Sequence, residues 1–422
     1  MIEIGFNYLS LAFITSYGFY SIMDLDHRMD WSKLYLSFIL ANHNVAFEYW
    51  SLVRNEVLII FPILFAYNVM MIILKNAITI TDIKRVQLFV MMLLHCYLFS
   101  WTLVFRFLLG FMTLRIIGTL VRNKIFHYLM ICASLHNSHV IRSNVTMNPL
   151  MGLIMSNMTQ YSILKVHMIL CEGEFSLRNS LEFLFQPVVS LTGTLVSYRD
   201  FLDGSVKCQR KINYQRIIKE ILTIYMTFYC LEFLFSNIRT RRCVKNDFGV
   251  MTIDFLNVCC FNVAYWVIYK SSRLLLDMNE SYVLDQEKGL FPAGPIWFIW
   301  SVNSAQVWRA FDVGLYEYLN RHVKTIAFGG VRKDEHLKRA INVGLCFLLV
   351  LFYHGVNLEN LTWILGNVTL LVLERIVTDY GRRSTLYQGL GSMSKIRVKC
   401  LLCAIDLLIF FITAMPFLFY YS

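Results

Sequence analysis

Charge is what this chain has least of. Lys, Arg, Asp and Glu make up 16% of its 422 residues, against roughly 25% in soluble domains. A water-soluble chain of 49.5 kDa could not cover its surface with so few charges. Proline (6) and glycine (20) are also sparse, which excludes collagenous and low-complexity material. There is no Gly-x-Ser-x-Gly elbow, phosphate-binding glycine loop or His-Glu-x-x-His helix. Serine hydrolysis, nucleotide hydrolysis and zinc proteolysis therefore have no motif to carry them. The 11 cysteines include one Cys-x-x-Cys, Cys400 and Cys403, with no second pair or histidine cluster beside it, so no zinc site is expected. What the chain does have is 57% hydrophobic residues, including 33 Phe, 23 Tyr and 8 Trp, and a mean hydropathy of +0.53. So much apolar and aromatic surface excludes disorder. The composition implies an all-α polytopic membrane protein.

The net charge of +11 is distributed accordingly. Basic residues cluster between apolar runs, as in Lys207, Arg210, Lys211 and Arg216, then Arg239, Arg241, Arg242 and Lys245. Membrane topology and anionic lipid account for such clusters, and nothing points to nucleic acid. Clusters flank consecutive segments on both ends, so the positive-inside rule gives no orientation. Cys208 and Cys243 lie in these basic loops, where S-acylation and inert packing are both open readings. The start, Met1-Ile2-Glu3-Ile4, has no basic n-region, so the first apolar run is expected to be a retained membrane helix.

Apolar runs near the ~20 residues needed to cross a bilayer occur at Ile4–Met23, Val57–Leu74, Val86–Phe105 and, enclosing Lys165, Pro149–Cys171. Phe126–Leu135 is too short alone. Ile217–Phe235, Phe255–Tyr269, Ile341–Leu358, Leu361–Leu373 and Leu407–Tyr421 follow. The reading is roughly 9–12 membrane-embedded helices, some of them re-entrant. No transporter-type inverted repeat is visible. Phe183–Phe201 and Phe291–Val307 are apolar but interrupted, the first by Pro187 and Gly193, the second by Pro292, Gly294 and Pro295. Broken backbone at membrane depth must be buried in protein or line a wet cavity, so both segments point to an internal chamber.

Two stretches carry the chemistry. In Ala340–Leu358, thirteen uncharged residues precede His354. At ~1.5 Å each they climb ~20 Å, placing the imidazole deep in the hydrocarbon zone. An ionisable group there is costly and faces a cavity or a partner, although one hydrogen bond to a neighbouring helix would also satisfy it. In Val307–Gly330, Asp312, Tyr316 and Asn320 fall on one face of a continuous helix. Arg309 lies three residues before Asp312, so a simple ion pair on that helix is an equal alternative. His95, His127, His136 and His139 have no carboxylate or cysteine at a spacing that makes a site, and are read as structural.

These two stretches resemble the membrane-bound O-acyltransferase superfamily, and within it the hedgehog acyltransferase (skinny hedgehog, protein-cysteine N-palmitoyltransferase) branch. The resemblance rests on Trp308-Arg309-Ala310-Phe311-Asp312-Val313-Gly314-Leu315, then Gly329-Gly330, then Tyr353-His354-Gly355. Many superfamily members have Asn or His where this chain has Asp312, and Asp is typical of the hedgehog branch. Leu191–Tyr198 resembles the family's Gly-Pro-Ile-x-Ser-Phe segment, with Thr194 in place of the usual Pro. Glu48-Tyr49-Trp50-Ser51 resembles an N-terminal Glu-Trp-Ser patch. Thr325-Ile326-Ala327-Phe328 stands where Tyr-Ile-Pro is usual. Some relatives place a haem-ligating cysteine upstream of the Trp-Arg motif, but Phe291–Val307 has none, which argues against haem.

The resemblance implies helices around a central acyl chamber. It divides the chain into N-terminal transmembrane helices (1–180), an acyltransferase core with Asp312 and His354 (181–380) and a C-terminal transmembrane helix (381–422). It implies an endoplasmic-reticulum membrane location, with the Golgi as alternative, and palmitoyl-CoA as acyl donor. The acceptor would be the N-terminal residue of a secreted hedgehog-like signalling protein, with membrane lipids as further partners. His354 would be general base or proton shuttle, and Asp312 would orient the reacting groups. Arg321, Lys324, Arg332, Lys333 and Arg339 are candidates for the CoA phosphates, with a solvated loop as the alternative. A lysophospholipid or other lipid acyltransferase and a catalytically silent relative that regulates trafficking are the competing readings. Without the two motifs, a chemoreceptor or transporter would rank first.

Overall fold

A computed structural model describes residues 48–75, 80–99, 101–121, 123–143, 149–172, 176–186, 195–206, 214–237, 263–275, 278, 304–324, 326–329, 335–383 and 389. Among these residues the regular structure is helical, with no strand. The helices are α1 (Glu48–Lys75), α2 (Ile80–Phe99), α3 (Trp101–Leu120), α4 (Lys124–Ser143), α5 (Pro149–Glu172), α6 (Leu177–Leu184) and α7 (Tyr198–Val206). There follow α8 (Tyr214–Asn237), α9 (263–275), α10 (Ser304–Phe311), α11 (Val313–Tyr318), a π-helical turn at Leu319–Val323, α12 (His336–His354) and α13 (Leu358–Arg383). The runs at Ile4–Met23 and Leu407–Tyr421 lie outside the described residues, as do nearly all of Phe291–Val307 and both Arg332 and Lys333.

Among the described residues one helix, over Leu337–His354, is long and apolar enough to cross a membrane by itself, and only 33% of that stretch is buried. The core helix of a soluble protein would be mostly enclosed, so the exposed remainder fits a lipid-facing surface. Shorter apolar stretches run over Phe61–Ile73, Arg85–Leu94 and Leu108–Gly118. On α1, α2 and α3, Ile73, Phe89, Trp101, Phe105 and Leu120 are all exposed. So broad a band of apolar side chains exceeds what water tolerates on a monomer and suits hydrocarbon. The apolar run Val86–Phe105 is not one helix: it straddles the end of α2 at Phe99 and the start of α3 at Trp101.

Helix α5 is the centre of the described core. Residues 160–169 are all buried, including Gln160, Lys165 and His167. α5 packs against α1, α3, α4, α6 and α7. Gly118 of α3 faces α5, where an added Cβ would lie 2.6 Å from the tip of the Leu170 side chain. Lys165, fully buried, sits with its ammonium nitrogen 5.7 Å from the centroid of the Phe183 ring, a cation–π arrangement.

The interrupted segment Phe183–Phe201 is indeed not a single helix. Its N-terminal part closes α6, where Ser176 caps the start by accepting from the Asn179 amide. Leu195–Ser197 are non-helical, and α7 begins at Tyr198. Phe183, Leu195, Val196 and Tyr198 are buried, so this irregular backbone is enclosed in protein. The α12–α13 pair forms a hairpin that α10 packs against through α13. Tyr128 on α4 donates to the Leu345 carbonyl oxygen (2.8 Å), tying α4 to α12.

Candidate active site

The helical face read through Asp312, Tyr316 and Asn320 is broken at Asp312. There the backbone leaves the helical region (φ −131°, ψ 90°) and the carboxylate caps α11, Oδ1 accepting from the Leu315 amide at 2.9 Å. An N-cap carboxylate relieves one of the unpaired amides at a helix start. A second departure follows at Leu319–Val323, where the chain winds as a π-helix. Asp312, Tyr316 and Asn320 thus do not share one regular helical face. The cause is local: a side chain that can cap competes with helix continuation through its own position.

Asp312 is buried, and its Oδ2 accepts from two phenols, Tyr269 at 2.8 Å and Tyr265 at 3.0 Å. Burying an unpaired carboxylate would cost several kcal/mol, and these donors offset that penalty. The ion-pair alternative on this helix is not realised: Arg309 is exposed, and the carboxylate is held by tyrosines and backbone. The two phenolic oxygens lie 2.9 Å apart, and Tyr265 stacks on Phe311 with ring centroids 4.6 Å apart.

Gly314 explains itself by contact. An added Cβ would lie 2.4 Å from the Leu195 carbonyl oxygen, too close for any side chain. Leu195, in the segment resembling Gly-Pro-Ile-x-Ser-Phe, therefore rests directly on the first turn of α11, two residues from Asp312. Trp308 anchors the same motif from the other side. Its indole N–H donates to Asn367 Oδ1 at 3.2 Å, and its ring packs against Phe347 and Trp363.

His354 is the last residue of α12, and Gly355 follows with φ +99°, a conformation that favours glycine. The imidazole meets Trp363 edge-on (5.3 Å) and the Tyr353 ring edge-on (5.1 Å). Ending a helix inside a membrane protein exposes carbonyls that no water reaches. Side chains satisfy them here. The buried Asn360 donates through Nδ2 to the His354 oxygen (3.0 Å) and the Gly355 oxygen (2.8 Å). His139 Nε2 lies 2.8 Å from the Tyr353 oxygen, with the Gln160 amide 2.8 Å from the same nitrogen.

His139, one of the four histidines read as structural, has its structural role beside His354. Its ring lies against Gly355, 3.3 Å from where a Cβ would sit, so it packs on the His354 turn itself. Its helix, α4, precedes α12 by about two hundred residues, so no local spacing announces the contact. His127 is structural as expected, donating from Nε2 to the Val121 oxygen at 2.6 Å. His136 is exposed on α4 and touches Phe352.

Tyr161 lies on α5, and its ring meets that of Tyr353 edge-on at 5.7 Å. Asp312 and His354, forty-two positions apart, each meet a tyrosine: Tyr269 donates to Asp312, and the Tyr353 ring abuts His354. Sequence spacing held a trace of it: Tyr265 and Tyr269 are four apart on one helical face. Tyr161 had no such signal.

The basic candidates divide. Arg321 bonds Asp200 (3.4 Å) and Glu317 (3.1 Å), and Lys324 bonds Asn320 (3.2 Å), so both cations already have protein partners. His322 Nε2 lies 3.1 Å from Glu172 Oε1 without making a hydrogen bond, whereas Glu172 Oε2 accepts from the Arg199 amide (2.6 Å), fastening α5 to α7.

Residues 172–417, more than half of the chain, match the model of MBOAT, the membrane-bound O-acyltransferase family. The chain belongs to that family. Among curated proteins, none matches it. Membership carries membrane acyltransferase activity in general, with acyl-CoA as the donor.

Proposed function

We propose that this protein transfers a palmitoyl-type chain from acyl-CoA to the N-terminal amine of a secreted, hedgehog-like signalling protein. The observation that carries the reading is Asp312: a buried carboxylate in the Trp-Arg-x-Phe-Asp motif, held by Tyr265 and Tyr269 rather than neutralised by Arg309. The amine nitrogen attacks the thioester carbonyl, a C–N bond forms, and the C–S bond to CoA breaks. His354 takes the proton the amine loses and returns it to the departing sulfur, the kind of transfer that contributes ~10²–10⁴-fold. Asp312 fixes the geometry of the reacting groups, and the tyrosines keep it from swinging. The acyl chain is held by burial, at ~0.8 kcal/mol per CH₂.

A second reading keeps the site and changes the acceptor to the hydroxyl of a lysophospholipid. The matched family's description favours it, since that description names O-acyl transfer. Reconstitution with labelled palmitoyl-CoA, offering an N-terminal-Cys peptide or lysophospholipids, separates the two. Label on the peptide that is lost in His354→Ala supports the first reading. Label on lipid replaces it with the second, and no transfer by folded protein to either acceptor leaves a silent relative.

A further inference from the structure

We propose that His139 is a positioning residue of this site: from α4 it holds the Tyr353 carbonyl, and with it the turn that presents the His354 imidazole. The inference rests on the acyl-transfer reading but on neither acceptor. A carbonyl oxygen only accepts, so the 2.8 Å contact between His139 Nε2 and the Tyr353 oxygen places the ring proton on Nε2. The Gln160 side chain ends 2.8 Å from the same nitrogen. An N–H faces it favourably when the amide presents its oxygen there, a half-turn that leaves the outline of the side chain unchanged. One Nε2 proton is then shared by two acceptors. The ring also packs over Gly355, with Nδ1 3.3 Å from where a Cβ would sit.

The location of that donor gives it its role. α12 stops at His354, so the carbonyls of its last turn lack the amides that a continuing helix would supply. Three in a row are met by side chains: Tyr353 by His139, and His354 and Gly355 by Asn360. Asn360 lies on the adjoining α13 and belongs to the same hairpin. His139 comes from outside the hairpin, so it is the one of the two that fixes the turn against a separate helix. α4 and α12 are tied a second time, where Tyr128 donates to the Leu345 oxygen at 2.8 Å. The two ties come in the same order along both helices, which therefore run parallel. Leu345 lies eight residues before Tyr353, about 12 Å along the axis, so that tie holds the same helices without touching the turn. The edges of Tyr353 and Trp363 set the tilt of the imidazole, and His139 sets where its backbone stands. A displacement of ~1 Å at a reacting group can cost ~10²-fold in rate.

A glutamine at position 139 can place its amide nitrogen where the imidazole Nε2 lies, whereas an asparagine stops one bond short. The four-protein set is wild type, His139→Gln, His139→Asn and Tyr128→Phe, each reconstituted with palmitoyl-CoA and whichever acceptor the wild type labels. His139→Asn is expected to lower kcat on the order of 10-fold or more, with KM for palmitoyl-CoA held within about 2-fold, and His139→Gln to stay within about 3-fold of wild type. Tyr128→Phe is expected to lower the melting temperature while kcat stays within about 2-fold. Unchanged kcat in His139→Asn, equal losses in the Gln and Asn variants, or a loss in Tyr128→Phe as large as in His139→Asn would overturn the proposal. If His139→Asn does not fold, His139→Gln decides: turnover near wild type supports the tie, and a loss of about 10-fold overturns it. Placement of the imidazole is also read without turnover, from the rate at which diethyl pyrocarbonate modifies His354, followed on its peptide by mass spectrometry. Faster modification in His139→Asn than in wild type and His139→Gln supports the tie, and one rate in all three contradicts it. A wild type that acylates neither acceptor overturns the reaction, and the modification rates then decide the tie alone.

Discussion

Asp312 shows how much one side chain can be asked to do. It caps α11 through one oxygen and receives two phenols on the other, so its position is over-determined by three donors. Asp312→Asn keeps size and capping capacity but replaces the oxygen that accepts from Tyr265 and Tyr269 with an NH2 group to which neither phenol can donate. Acyl transfer is expected to fall by about 10²-fold or more, as loss of a placed catalytic group does. Single-turnover kinetics with labelled palmitoyl-CoA would measure it, and an unchanged rate would reduce Asp312 to a helix cap. The residue type and its motif were legible in the sequence. Its partners were not, because the pairing with Tyr265 and Tyr269 depends on α9 docking beside α11, and the nearer Arg309 offered a plausible local pair.

At the scale of elements, the site is built from helix ends rather than helix faces. α11 starts at Asp312, α12 stops at His354, and a π-helical turn begins at Leu319. Periodicity arguments assume helices that continue, which is why Asp312, Tyr316 and Asn320 were placed on a shared face that the break at Asp312 removes. The existence of α1, α5, α8, α12 and α13 was readable from apolar runs. The break between α2 and α3 was hidden, because uncharged residues run through it without a proline or glycine. Two predictions belong here. Gly314→Ala forces a methyl group against the Leu195 carbonyl oxygen at 2.4 Å. It is expected to destabilise by about 1–3 kcal/mol, seen as a lower melting temperature together with lost activity; a neutral effect would mean that α11 does not rest on that segment. Asn360→Ala uncaps α12 and leaves two buried carbonyls short of donors, at a cost of about 1–3 kcal/mol. Its thermal unfolding should shift downward, and an unshifted transition would show that the turn is satisfied some other way.

Over the whole molecule, low charge and abundant aromatics correctly implied a helical membrane protein, and the exposed apolar residues of α1–α3 agree with that. The convergence of α4, α5, α9, α11 and α12 was beyond the sequence, because it joins residues such as His139 and Tyr353 that no local pattern relates. The same packing disposes of two glycosylation sequons. Asn360 and Asn367 are buried, and their amides donate to backbone oxygens of His354, Gly355 and Trp363. Removing either sequon through Thr362→Val or Thr369→Val should leave the mass on a glycosidase-shift gel unchanged; a shift would contradict this packing. The account stands or falls on His354. Purified protein in bilayers, given labelled palmitoyl-CoA and an N-terminal-Cys peptide, is expected to label the peptide, and His354→Ala is expected to abolish that label while remaining folded. Equal labelling by the two proteins would contradict the account.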